Sequence, residues 1–172
     1  MQETPPAGGD TLWCSGYELY DRLSPPFQKF LEGLTATCAQ PVFKAATERG
    51  GYPVMSPRGS PLNVDYEFSP SHPVVRTCPV TGWKSLFAGV GCELTCFLFA
   101  FYGIKDFADC SDVLALVHVT SIDGVHSYED KIIHDYVMRM ITHNHDCIAR
   151  MHWTDQACAI WSNACTLHAA TV

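Results

Sequence analysis

Residues 148–171 read IARMHWTDQACAIWSNACTLHAAT, a stretch in which short apolar segments are separated by polar residues. Short apolar runs bounded by turn-forming residues are typical of β-strands. We therefore predict strands over 148–153, 157–161 and 166–171, with a turn at 154–156. Strands and helices that occupy separate blocks of a sequence favour an α+β or mostly β domain over a repeated βαβ unit.

The segment before these strands has the periodicity of a helix. Ser127 and Asp130 have the spacing of a capping box, in which a serine and an acidic residue close the first turn. Apolar side chains then recur at helical spacing and predict a buried helix face, which consists of Ile132, Ile133, Tyr136, Val137, Met140 and Ile141. We expect this helix to end within residues 143–146.

The first part of the chain predicts two short helices after a loop rich in Pro and Gly. Ser15 and Ser24 are each placed to cap a helix, and Pro25 begins the second one, where a missing N–H has no cost. The second helix should bury one apolar face, which consists of Phe27, Phe30, Leu31 and Leu34.

The middle of the chain predicts a loop, a hairpin and a stretch without clear periodicity. Residues 49–71 hold many prolines and glycines and predict a long loop. A strand at 72–77, a turn at 79–82 and a strand at 83–88 then predict a β-hairpin. Residues 92–125 are apolar and aromatic at first, but they follow neither the strand period nor the helix period.

The composition bounds the class of protein. The chain has 172 residues, of which 47% are hydrophobic and 17% charged, which suits one domain with its own core. A formal net charge of −7 argues against a nucleic-acid surface, and no apolar run is long enough to cross a bilayer. The first residues lack the basic and apolar parts of a secretory signal, which favours a cytoplasmic protein. Nine scattered cysteines, an odd number, favour free thiols over a disulfide framework.

Three segments, taken in order, resemble the taurine dioxygenase family of non-haem iron enzymes. They are PPAGGDTLW at residues 5–13, HPVVRTCPVTG at residues 72–82, and the stretch from RMHW to TLHAAT at residues 150–171. The resemblance implies a partial double-stranded β-helix, a jelly-roll of two sheets with flanking helices, which agrees with a mostly β (α+β) chain. Residues 1–172 then form a single incomplete domain of that family.

The same resemblance implies an oxidoreductase, an Fe(II)- and 2-oxoglutarate-dependent dioxygenase. In that family two histidines and one carboxylate hold the iron and leave positions open for 2-oxoglutarate and oxygen. Oxidative decarboxylation of 2-oxoglutarate gives succinate, and the oxidant formed hydroxylates a C–H bond of a sulfonate or similar small organic acid. The implied partners are therefore Fe(II), 2-oxoglutarate and a small-molecule organic acid, without nucleic acid or membrane.

Two residues match positions that bind the cofactors in that family. His168 aligns with the second iron-binding histidine, and its place on a late apolar strand would fix the imidazole. The alternative for His168 is a core histidine satisfied by a backbone carbonyl. Thr11 aligns with the threonine that binds a 2-oxoglutarate carboxylate, and its alternative is a hydroxyl that caps the Gly-Gly-Asp-Thr turn. His72 and Arg76 receive structural roles only, for Arg76 a pairing with a local carboxylate.

The chain also departs from the family pattern. The family's His-x-Asp motif precedes the Gly-Gly-Asp-Thr segment, and none of the eight histidines here has Asp at that spacing. The family's 2-oxoglutarate-binding arginine follows the second histidine, beyond Val172. Ser162 and Ala164 replace an acidic and a basic residue, and Cys78 replaces a histidine. We therefore assign no catalytic residue and expect this chain not to catalyse by itself.

The sequence leaves two other functions open. One is a small zinc protein that uses Cys92, Cys96, His143 and His145, although a structural zinc site needs two paired motifs at set spacing. The other is a non-catalytic remnant or mis-predicted gene product with a structural role only. For residues 92–125, which have no counterpart in the family pattern, our hypothesis is an insertion of translated non-coding sequence.

Overall fold

The computed structural model describes residues 8–39, 48, 50–51, 61, 69–87 and 119–171. Its strands are β1 (Thr11–Ser15), β2 (Thr35–Ala39), β3 (Ser71–Pro73), β4 (Val75–Thr77), β5 (Lys84–Leu86), β6 (Val119–Ile122), β7 (Ile148–Met151) and β8 (Thr166–Ala170). Its helices are α1 (Gly16–Asp21), α2 (Pro25–Glu32) and α3 (Ser127–His143), and a short 3-10 helix covers His145–Cys147. These strands pair antiparallel, so antiparallel sheets combine with helices, as the sequence predicts.

β1 is the middle strand of a three-stranded sheet, between β7 and β8. Leu12 and Cys14 enter the core and are only 8% and 2% exposed, whereas Thr11 and Trp13 remain partly exposed. Successive side chains of a strand point to opposite faces, which explains the alternation. Residues 11–15 therefore form a strand with one face in the core.

Residues 157–161 do not form the predicted strand. They belong to the irregular connection from β7 to β8, in which Ile160 is 94% exposed. Both edges of β1 are already paired, one with β7 and the other with β8. The connection joins these two outer strands, and its Trp161 packs against Trp13 of β1 at 5.2 Å instead of extending the ladder.

The second sheet places β2 between β3 and β6. Asp123, directly after β6, fastens this sheet because its carboxylate accepts hydrogen bonds from the hydroxyls of Thr35, Thr37 and Ser71 at 2.6, 2.8 and 2.8 Å. The hydrogen bond from Thr35, followed by those from Ser71 and Thr37, holds the pKa of Asp123 below its ordinary value. The loop end after β6 is thereby tied to two other strands.

Only the end of residues 92–125 belongs to the described part of the chain. Residues 119–122 form β6, which pairs with β2. Residues 92–118 lie outside the described residues, and the hypothesis that 92–125 is an insertion stays a prediction.

The predicted hairpin is confirmed. β4 pairs with β5, with Val75 opposite Leu86 and Thr77 opposite Lys84. The N–H of Gly82 donates to the carbonyl oxygen of Cys78 at 2.9 Å, and Gly82 has a φ of 74°, a conformation that favours glycine. Both strands are shorter than predicted.

The two N-terminal helices are also confirmed. The Ser15 hydroxyl accepts a hydrogen bond from the N–H of Glu18 at 3.3 Å and so caps α1. Ser24 occupies the N-cap position of α2, but its side chain makes no capping hydrogen bond. The predicted inner face of α2 is correct for Leu31, which is fully buried, and wrong for Phe30, which is 45% exposed.

The long helix α3 begins one residue out of register with the predicted capping box. The N–H of His126 donates to the carboxylate of Glu129 at 2.8 Å, which makes Glu129 the acidic residue of the cap. Asp130 instead accepts a hydrogen bond from the N–H of Ile122 at 3.1 Å. The buried stripe is rotated accordingly and consists of Ile133, Val137, Met138, Met140 and Ile141, while Ile132 and Tyr136 are 52% and 43% exposed.

One hydrophobic core joins the helices to the sheets. Its fully buried members come from the three helices, from β2 and from the residue between β3 and β4: Leu19, Leu31, Val137, Ala36 and Val74. Leu167 and Ala169 of β8 enter the same core, so the neighbouring His168 points away from it. In the described part of the chain, no helix is both long and apolar enough to cross a membrane.

Candidate functional site

Thr11 and His168 lie on one side of the β7-β1-β8 sheet, which we call the open face and define by Thr11, Trp13 and His168. Trp13 is directly opposite His168, and Thr11 is directly opposite Ala170. Residues opposite each other in an antiparallel pair project to the same side. The fold therefore brings together the two residues that the sequence predicts as a site, at diagonal positions about 7–8 Å apart.

Three tryptophans line this face. The ring of Trp13 lies 5.2 Å from the ring of Trp161 and 6.5 Å from that of Trp153. The ring of Trp161 also lies 5.1 Å from the imidazole of His168. Trp161 comes from the irregular connection between β7 and β8 and packs its ring against this face. The imidazole thus has an aromatic wall that limits its orientations.

His168 is exposed, which contradicts the alternative of a core histidine. Its backbone neighbours on β8, Leu167 and Ala169, are 9% and 3% exposed and hold the strand against the core. An exposed imidazole on a fixed strand is available to a ligand, whereas a buried one would need its own partners.

The hydroxyl of Thr11 is engaged by the extension of β7. The indole Nε1–H of Trp153 donates to Thr11 Oγ1 at 2.9 Å. The Thr11 hydroxyl thus accepts a hydrogen bond from an indole. The alternative for Thr11 was a hydroxyl that caps the Gly-Gly-Asp-Thr turn. The indole nitrogen of Trp13 is buried and has no hydrogen-bond partner among the described residues.

Asp10 forms a charged cluster behind Thr11, on the other side of β1. It is 5% exposed and accepts hydrogen bonds from Arg150 Nε at 2.5 Å and from His152 Nδ1 at 2.7 Å. The bond to His152, followed by that to Arg150, lowers the pKa of the Asp10 carboxyl. The sequence analysis missed this cluster. The signal that could have found it is a carboxylate directly before one strand, with Arg and His two residues apart at the end of the strand that pairs with it.

The described residues do not fit a complete iron site. A facial triad needs two imidazoles and a carboxylate on one metal. Within residues 8–39, 69–87 and 119–171, no group of three or more His, Cys, Asp or Glu side chains is placed to hold a metal ion. Of the three residues that define the open face, His168 alone has a side chain of a kind that this triad uses.

The zinc alternative receives no support from the histidines. His143 Nδ1 contacts the carbonyl oxygen of Arg139, and His145 Nε2 contacts that of Thr142, both in α3 and both at 3.0 Å. Cys92 and Cys96 lie outside the described residues.

Cys78 lies at the start of the hairpin turn, where the family pattern has a histidine. The hydroxyl and backbone N–H of Thr81 bond to its sulfur, which lowers the pKa of the Cys78 thiol to about 7. In the same segment, His72 and Arg76 both contact the ring of Phe87, at 5.6 Å and 5.2 Å from its centroid. Among the described residues Arg76 therefore makes a cation–π contact, and its pairing with a local carboxylate stays a prediction.

A family model and several relatives match the chain almost from end to end. The model of the family described as "Taurine catabolism dioxygenase TauD, TfdA family" matches residues 1–171. Alpha-ketoglutarate-dependent dioxygenase oryG of Aspergillus oryzae is 42% identical over 99% of this chain. A Schizosaccharomyces pombe protein, provisionally named an alpha-ketoglutarate-dependent sulfonate dioxygenase, is 35% identical over 97% of it. The chain spans 43% of the first relative and 34% of the second.

A solved structure shows the same fold. The crystal structure of a taurine dioxygenase from Burkholderia xenovorans superposes with a TM-score of 0.60 at 22% identity. The match covers 98% of this chain and 42% of that one. The arrangement of sheets and helices described above is therefore that of part of a taurine dioxygenase fold.

Proposed function

Because this chain belongs to the TauD, TfdA family of alpha-ketoglutarate-dependent dioxygenases, we propose that its open face is the cofactor-binding side of a partial jelly-roll. In this proposal His168 is one iron ligand and Thr11 binds a carboxylate of 2-oxoglutarate. The observation that carries it is the position of these two residues on one face of adjacent strands. Bound Fe(II) and 2-oxoglutarate would together supply the oxidising chemistry of the family.

The proposed substrate is a sulfonate or similar small organic acid. It is supported by the name of the Schizosaccharomyces pombe relative, which is 35% identical to this chain over 97% of this chain's length and 34% of its own. Titration with taurine provides the test. The measurement follows the indole NMR signals of Trp13, Trp153 and Trp161. If taurine changes none of them, either alone or with 2-oxoglutarate present, a sulfonate substrate is contradicted.

We further propose that the 172-residue chain does not turn over by itself. One imidazole holds a divalent metal far less tightly than a triad, and a neutral hydroxyl is a weak partner for a dianion. Succinate formation and oxygen uptake with Fe(II), 2-oxoglutarate and taurine should not exceed those of a metal-only control. Succinate produced in proportion to the protein present would contradict this.

The four tryptophans allow a direct test of the cofactor-binding face. Trp13, Trp153 and Trp161 line the open face, whereas Trp83 packs against Tyr17 at 5.5 Å. Titration with 2-oxoglutarate, followed by NMR of the ¹⁵N-labelled indoles, should shift signals of the first three and leave Trp83 unchanged. Equal changes at all four signals, or none at any, would refute the assignment.

A further inference from the structure

Trp153 donates a hydrogen bond to the Thr11 hydroxyl, and this bond determines whether that hydroxyl can donate or accept a further one. An indole N–H can only donate a hydrogen bond, and the bond from Trp153 Nε1 to Thr11 Oγ1 is 2.9 Å long. A hydroxyl that accepts this bond keeps its own proton for another acceptor. Thr11 is therefore left as a donor on the open face.

The backbone around Thr11 is held from both neighbouring strands. On the β7 side, the carboxylate of Asp10 accepts hydrogen bonds from Arg150 and His152 at 2.5 and 2.7 Å. On the β8 side, the N–H of Thr171 donates to the carbonyl oxygen of Asp10 at 2.7 Å. These contacts act on the opposite side of β1 or in its plane, so they fix the strand without occupying the open face.

We propose that Trp153 is a positioning residue that orients the Thr11 hydroxyl as a hydrogen-bond donor to one carboxylate of 2-oxoglutarate. This inference rests on the proposed function, since it concerns how Thr11 meets that cofactor. An ionised carboxylate only accepts hydrogen bonds, so a hydroxyl whose lone pair is already engaged matches it. A donor that is oriented before binding also loses less rotational freedom when the ligand arrives. The Asp10 cluster keeps the β1 backbone in the place this contact requires.

The test compares two variants that each remove one partner of the contact. Trp153→Phe keeps an aromatic ring but removes the N–H, and Thr11→Val keeps the side-chain shape but removes the hydroxyl. The 2-oxoglutarate dissociation constant of the 172-residue chain is measured by NMR titration for each variant and for the double variant. Trp83→Phe is the control, because Trp83 packs against Tyr17 and lies outside the site.

We expect Trp153→Phe to raise the dissociation constant by about 2- to 10-fold, the effect of one lost hydrogen bond. Because Trp153 acts through Thr11, the double variant should bind as weakly as Thr11→Val alone. Thr11→Ser, which retains the hydroxyl, should bind much as the unaltered chain does. The indole proton of Trp153 should also move upfield in Thr11→Val and keep its position in Thr11→Ser.

The outcomes separate this inference from the function on which it rests. If Thr11→Val weakens binding and Trp153→Phe does not, the positioning role is wrong while the role of Thr11 stands. Additive losses in the double variant would show that Trp153 acts independently of Thr11, which also overturns the inference. If the unaltered chain binds no 2-oxoglutarate, the proposed function itself is contradicted, and the inference is lost with it.

Discussion

Trp13 and His168 lie directly opposite each other across the pair β1–β8, and the ring of Trp161 contacts both, at 5.2 Å and 5.1 Å. The imidazole is thus held by the strand ladder below it and by an aromatic ring beside it. A residue that must meet a ligand in one orientation benefits from this double restraint, because less side-chain entropy is lost when the ligand binds.

A metal ion bound at His168 should be detected first by the tryptophans beside it. We expect Cu(II), a paramagnetic ion that imidazole binds well, to broaden the indole signals of Trp161 and Trp13 before that of Trp83. His168→Ala should abolish this order of broadening, whereas His145→Ala, which removes an exposed histidine elsewhere, should preserve it. Broadening of Trp161 that survives His168→Ala would place the metal elsewhere.

Gly16 should tolerate no side chain, because three segments meet at its Cα. A Cβ there would lie 2.4 Å from Ser85 Oγ and 2.7 Å from the carbonyl oxygen of Leu86. Gly16→Ala should therefore lower the free energy of unfolding by about 1–3 kcal/mol, the usual cost of overpacking. In the matched control Gly33→Ala the nearest atom, at 3.6 Å, is in ordinary contact, so denaturant midpoints should change only slightly. Equal stability of the two variants would contradict this packing.

Leu31 and Phe30 are adjacent on α2 but differ in burial, which gives a direct test of the helix orientation. Leu31 is fully buried, so Leu31→Ala should reduce the free energy of unfolding by about 2–5 kcal/mol. Phe30 is 45% exposed and stacks on Phe27 at 5.9 Å, so Phe30→Ala should cost only about 1 kcal/mol. Urea denaturation of both variants provides the comparison, and the reverse order of stabilities would show that α2 is rotated.

The Asp10 cluster should make the fold sensitive to acid. The pKa of Asp10 is lowered in the folded chain, so folding favours its ionised form. Its contribution is therefore fully present above the unfolded pKa of about 3.9 and is lost as the pH falls through the lower folded value. Asp10→Asn should lower the thermal midpoint near neutral pH and should flatten the loss of stability below about pH 4.

Thermal unfolding of the unaltered chain and of Asp10→Asn, followed by circular dichroism across that pH range, measures this effect. The matched comparison is Asp135→Asn, which removes a surface carboxylate from an ion pair with Lys131 at 3.3 Å. That change should have little effect at any pH, because exposed pairs contribute little. Identical acid profiles for Asp10→Asn and the unaltered chain would refute the proposed contribution.

The sequence predicts the elements that depend on local signals and fails where tertiary contacts decide. Ser15, Pro25 and Gly82 act through their own backbone neighbours, and the helices and hairpin they begin or turn are found where expected. The exposure of Phe30 depends on how α2 is rotated against the core, which the spacing of apolar residues alone does not determine.

In the site, too, local motifs could be predicted from the sequence, whereas contacts between distant segments could not. The resemblance to the family predicts Thr11 and His168 as site residues, but their position on one face follows from β1 pairing with β7 and β8, which are distant in the sequence. The cluster of Asp10 with Arg150 and His152 depends on that same pairing. Within its own segment, none of these side chains has a neighbour that indicates an ion pair. The cluster can be recognised only once the register between β1 and β7 is known.

Buried and partly exposed side chains alternate along the five residues of β1, so neighbouring substitutions should affect either folding or ligand binding. Changes at Leu12 or Cys14 should reduce the amount of folded protein, since these side chains pack inside. Substitutions at Thr11 or Trp13 should leave the yield of folded protein nearly unchanged and should alter ligand binding. A saturation library over this one strand, sorted once for abundance and once for ligand retention, would therefore show a period of two in each profile, displaced by one residue.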